Sequence, residues 1–116
     1  MTEVNLIYTT FKTTSDAKTV VEELLNLKLI ACANIGSNVQ SLYMWEGKLS
    51  CQEEVSVILK TTSQAVEKTI EALKKLHQYE TPCIVVLPVS IVDKDFLEWI
   101  RGSMREINQE QIGGGG

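Results

Sequence analysis

The sequence predicts a single α+β domain in which an antiparallel sheet carries helices on one face, and three observations carry that prediction. Segments of strand and helix character follow one another as strand, helix, strand, strand, helix, strand, with one more helix at the end. This βαββαβ order is the split βαβ pattern of ferredoxin-like folds. Two long β-type runs in the middle, Val39 to Trp45 and Lys48 to Thr61, flank a two-residue turn at Glu46-Gly47, the signature of a hairpin. The length of 116 residues, 44% of them hydrophobic, is enough to bury a core without disulfides or a structural metal.

Val4 to Thr10 reads as the first strand, and the polar link Lys12-Thr-Thr-Ser15 can cap a helix. From Asp16 onward, Ala17, Val20, Val21, Leu24 and Leu25 repeat at the spacing of one helix face. Asp16 near its start and Lys28 near its end suit the helix dipole. The hairpin follows, and Gly36 within Asn34 to Asn38 marks a bend or bulge in its first arm. On the return arm Val55, Val57 and Leu59 share one face.

Thr62 and Ser63 can cap the second helix, with Val66, Ile70, Leu73 and Leu76 inward and Glu67, Lys68, Glu71, Lys74 and Lys75 in solvent. Pro82 ends helical structure before it. Cys83 to Val89 is a continuous apolar run, expected of a strand buried on both faces. Asp93 or Asp95 then caps a short helix carrying Phe96, Leu97 and Ile100. One domain is expected over 1–107. Residues 108–116, with little periodicity and four closing glycines, read as a flexible tail or cloning remnant.

Hairpin length has a consequence for assembly. About 13 residues per arm at ~3.3 Å extend roughly 40 Å, whereas helices of about 14 residues cover only ~21 Å. The tip, Leu42-Tyr-Met-Trp45, is therefore expected to lack a helical roof. Bare aromatic strand is an aggregation hazard that closed symmetry removes by pairing copies of the chain. The alternative is a bent hairpin folded back on its own domain.

Net charge is −4, from 11 basic and 15 acidic residues without a basic run. That argues against a nucleic-acid binder or an anionic-membrane binder, which would need a clustered positive surface. No signal-peptide pattern or membrane-spanning apolar segment is expected, which makes a cytoplasmic location the default. Cys32, Cys51 and Cys83 are odd in number and have no C-x-x-C spacing, which fits reduced thiols. Cys32 and Cys83 read as small buried side chains and Cys51 as exposed.

Taken in order, Ala31-Cys-Ala-Asn34, Ser41-Leu-Tyr-Met-Trp-Glu-Gly-Lys48, Glu54 to Lys60, Leu76-His-Gln-Tyr-Glu-Thr-Pro82 and Phe96-Leu-Glu-Trp-Ile100 resemble the CutA divalent-cation tolerance proteins. The resemblance implies a ferredoxin-like homotrimer whose hairpins join sheets between subunits. It also implies a link to metal tolerance and copper binding, and an architecture like that of PII signalling proteins. No enzymatic reaction is implied. The sequence departs from the family where Gln78 replaces a proline after His77. Where some bacterial members place a cysteine and two histidines as copper ligands, this chain has Thr9 or Thr10 and Leu76-His77.

His77, the only histidine, sits at a helix end, where it can cap carbonyls or, with Glu80 three residues on, offer a two-donor site for a divalent cation such as Cu2+. Tyr43, Trp45, Lys60 and Tyr79 form a second group. Aromatics beside a lysine can line a pocket for a small anionic ligand, in a cleft between subunits by the resemblance. Equally, Tyr43 and Trp45 can be interface anchors. Glu53-Glu54 reads as a solvated or cross-strand pair, and Trp99 as a partly covered helix surface. Catalysis is not expected. No Ser-His-Asp set is evident, and no G-x-G-x-x-G or G-x-x-x-x-G-K loop occurs. No organic cofactor is expected.

Overall fold

The structure is a computed structural model that describes residues 3–105. The residues read as a tail, 108–116, lie outside the described ones. The element order is β1 (Val4–Phe11), α1 (Thr14–Asn26), β2 (Cys32–Trp45), β3 (Lys48–Thr62), α2 (Val66–Leu76), β4 (Ile84–Val89) and α3 (Lys94–Met104), with a 3-10 turn at Ser63–Ala65 leading into α2. The four strands form one sheet in the order β2-β3-β1-β4, all neighbours antiparallel. This is the α+β architecture that the pattern of elements predicts.

Local chemistry explains most boundaries. The Thr13 side chain accepts from the Asp16 N–H at 3.0 Å and starts α1. Asp93 does the same for α3, accepting from the Phe96 N–H at 3.1 Å. In contrast, the start of α2 has no side-chain cap, because the 3-10 turn intervenes where Thr62 and Ser63 were expected to cap. Both hairpin turn residues have positive φ, 50° at Glu46 and 79° at Gly47, the handedness that matches strand twist.

Pairing runs from Trp45 opposite Lys48 and Tyr43 opposite Ser50, as a two-residue turn dictates. A bulge between Ile35 and Asn38 then shifts the register, so Ile35 faces Val57 and not Ile58. Gly36 belongs there because a Cβ would meet the Ser56 hydroxyl oxygen at 2.7 Å.

The core lies between the sheet and α1 and α2, around Ile7, Phe11, Leu24, Val57, Leu59 and Leu73. A second, smaller cluster joins Val4 and Ala31 to Ile100 of α3. Leu25, expected inward, is exposed. Two further expectations are corrected at β4. It is an edge strand, and Val85 and Leu87 are 49% and 46% exposed, while Ile84 and Val86 pack on the main core and Val89 on the smaller cluster. Cys83 is likewise exposed, and Cys32 only half-buried. An apolar run signals a strand, but not whether its second face is covered within the same chain.

The body is elongated, 59 × 30 × 23 Å, because β2 and β3 have 14 and 15 residues while α1 has only 13. Leu42, Tyr43, Met44, Trp45 and Leu49 stand exposed on the protruding arm.

Candidate functional site

Where the hairpin leaves the body, five polar side chains from four segments converge. Glu54 of β3 is 8% exposed and forms the centre. Its Oε1 accepts from the Ser41 hydroxyl of β2 at 2.6 Å. Its Oε2 accepts from the Tyr79 hydroxyl at 2.8 Å and the Thr10 hydroxyl of β1 at 3.3 Å. Strand geometry dictates this gathering. Alternation sends Val55, Val57 and Leu59 into the core and hence Glu54 to the other side, while the register sets Ser41 diagonally across from it.

His77 joins the cluster from the end of α2. Its backbone N–H, not its ring, caps the helix, donating to the Leu73 carbonyl at 2.9 Å. The imidazole turns to β1. β4 pairs with β1 only as far as Thr9, and one residue further Nε2 of His77 lies 2.7 Å from the Thr10 carbonyl oxygen. Nδ1 accepts from the Tyr79 N–H at 3.1 Å. A carbonyl can only accept and an amide N–H only donate, so the partners select the neutral tautomer protonated at Nε2. The ring stacks on Phe11 with centroids 4.3 Å apart and lies beside Tyr79 at 4.9 Å. Burial pushes the His77 pKa below its ordinary value, against smaller upward pulls from the Thr10 carbonyl and the carboxylates of Glu54 and Asp16. The Tyr79 phenol is pushed well above its ordinary value, first by burial and then by its bond to Glu54. It is a neutral donor throughout the physiological range.

Of the residues singled out in the sequence, the structure brings His77 and Tyr79 together. Tyr43 is near enough to act electrostatically on Tyr79, but its hydroxyl donates to Gln52 at 3.1 Å. Trp45 lies at the arm's tip, 63% exposed. Lys60 lies at the other end of β3, its Nζ 5.5 Å from the centroid of the Phe96 ring. Six residues of strand separate Glu54 from Lys60, and six more separate it from Lys48 opposite Trp45, ~20 Å each way. Within one chain these candidates do not share a pocket.

Glu80 is exposed and outside the hydrogen-bonded cluster. Among the described residues no three His, Cys, Asp or Glu side chains gather as a metal-binding group. With both ring nitrogens of His77 engaged, the donor set offers no free imidazole nitrogen. It does not fit a closed four-donor copper site.

The sequence reading missed Glu54, Ser41, Thr10 and Phe11. The available signal was the register. Had the hairpin pairing been carried through to side-chain faces, Glu54 would have been placed opposite the core valines and next to Ser41.

Comparison with known proteins agrees with this architecture. Residues 5–103 match the family profile described as CutA1 divalent ion tolerance protein. The divalent-cation tolerance protein CutA of Pyrococcus horikoshii is 41% identical over 95 residues, covering 82% of this chain and 92% of its own. The crystal structure of CutA1 from Ehrlichia chaffeensis superposes with a TM-score of 0.88 at 36% identity, covering 91% of this chain and 99% of that one. The CutA structure from Archaeoglobus fulgidus, described as a periplasmic divalent cation tolerance protein, gives 0.84 at 35% identity over 88% and 99%. The chain belongs to the CutA divalent ion tolerance family.

Proposed function

We propose that this protein acts as a homotrimer in divalent-cation tolerance, binding copper or another divalent cation weakly near the hairpin base through His77 and Glu80. The observation that carries the assembly is the uncovered arm, with its exposed tip residues and the open face of Ile58, Val85 and Leu87 on the sheet. Apolar strand of that extent is stable in solution when sister chains cover it. Family membership supports the role in cation tolerance. The three free thiols support a reducing, cytoplasmic setting.

Weak binding follows from the ring's surroundings. A cation at Nδ1 must first displace the Tyr79 N–H, and His77 as a whole is only 8% exposed. Calorimetric titration of the protein with Cu2+, alongside His77→Ala, tests the assignment. Weak binding that disappears in the variant supports it, and unchanged binding rules His77 out.

A second reading, a PII-like trimer holding a small anionic ligand between subunits, draws on Lys60. Its ammonium rests over the Phe96 ring and has no ion pair among the described residues. A screen of nucleotides and small carboxylates with Lys60→Ala as control tests it. Silence in both titrations leaves a mainly structural trimer.

A further inference from the structure

At the far end of α2 from His77, about 16 Å along its 11 residues, the ends of α1 and α3 and the turn before α2 border an open cavity of about 800 Å³. We infer that this cavity is a binding site for a small organic anion carrying a diphosphate or similarly multivalent phosphate group.

Charge is the first ground. The chain is net −4, yet among the described residues the cavity wall holds Lys28, Lys68, Arg101 and Arg105 against the single carboxylate of Glu3. Arg101 grips Glu3 through Nε and Nη2 and Glu98 through Nη1, so its charge is spent on structure. Lys28, Lys68 and Arg105 have no ion pair among the described residues. Three unpaired cations around one concavity concentrate a positive field on an otherwise acidic protein. They match a ligand with at least two negative charges, for which phosphate oxygens suit both ammonium and guanidinium donors.

Shape is the second ground. The volume falls within the ~300–1,000 Å³ usual for small-molecule pockets. Leu27, Leu29 and Met104 also line the cavity and give an apolar surface for the organic part of a ligand.

The third ground is Lys28 itself. It follows the end of α1 with φ of 60°, the left-handed conformation that helix ends reserve for glycine. Its N–H donates to the Leu25 carbonyl at 3.0 Å, so the geometry is that of the helix stop. A lysine is disfavoured there relative to glycine, because its Cβ crowds the backbone. Its position on the cavity wall gives the unfavourable choice a use, the pattern expected where stability is traded for binding.

Calorimetric titration of the full chain with magnesium-free ADP and, separately, with inorganic pyrophosphate, at about 50 mM salt to limit screening, tests the inference. The expected result is one saturable site per chain for each anion, with affinity falling about ten-fold or more in Lys68→Gln and in Lys28→Gly. Lys28→Gly should melt at or above the parent temperature, since glycine removes the strain along with the charge. Lys60→Ala should bind like the parent. The inference is overturned if neither anion saturates, or if binding survives both substitutions unchanged. Loss of binding in Lys60→Ala alone would also overturn it, because the anion would then belong to the subunit cleft.

Discussion

The Tyr79 hydroxyl donates to Oε2 of Glu54 at 2.8 Å and so ties the segment after α2 to the base of the hairpin. The same carboxylate holds Ser41 and Thr10, which makes it the joint between arm and body. Removing the Tyr79 hydroxyl leaves Glu54 with one buried acceptor position short of a donor. Tyr79→Phe is expected to destabilise the protein by about 1–3 kcal/mol. Urea unfolding of the variant and the parent gives the difference. A change within error would mean that Thr10 and Ser41 suffice.

His77 predicts a pH dependence. Its folded-state pKa is lowered, chiefly by burial, so the unfolded chain takes up the proton first as pH falls. Its stabilising contribution is therefore fully present above the ordinary imidazole value of about 6.5 and is lost as pH falls from there through the folded value. The physical event is the proton entering at Nδ1, which sets an N–H against the Tyr79 N–H. Unfolding free energies at about pH 7.5 and about pH 5.5 should differ more for the parent than for His77→Ala. Equal slopes would remove His77 from the account.

Thr9 is fully buried, and its hydroxyl has no hydrogen-bond partner among the described residues. Thr9→Val keeps the shape and removes the unsatisfied group, and is expected to stabilise by about 1 kcal/mol or more. A raised melting temperature is the readout, and a lowered one would show that the hydroxyl has a partner.

Trp45 separates the lone chain from the assembly. Alone, it is 63% exposed, and truncating it should cost under about 0.5 kcal/mol. Buried against sister chains, Trp45→Ala should cost about 3–5 kcal/mol per chain and make melting depend more steeply on protein concentration. A variant that assembles and melts like the parent contradicts a central role for Trp45.

Much of the fold could be read from periodicity and turn chemistry. The helix-face spacing of Ala17, Val20, Val21 and Leu24, a cap within Lys12 to Ser15, a cap at Asp93 or Asp95, and the turn at Glu46-Gly47 are local signals; the structure has them, with Thr13 and Asp93 as the caps. Non-local properties were less legible. An apolar run carries no information on whether its second face is covered, so it predicts a burial of Val85, Leu87 and Cys83 that the single chain does not provide. The candidate site was legible only through His77 and Tyr79. Glu54 looks like half of a solvated acidic pair until the register fixes which of the two neighbouring glutamates shares a sheet face with Ser41 and Thr10. The sequence also joined Lys60 and Trp45 to the site by residue type, and strand rise places them ~20 Å to either side of it.

Sedimentation at micromolar concentration tests the central claim, that sister chains complete the exposed arm and open sheet face. The expected result is a stable species of three times the 13.0 kDa chain mass. A soluble, folded species of one chain mass across that range would contradict it.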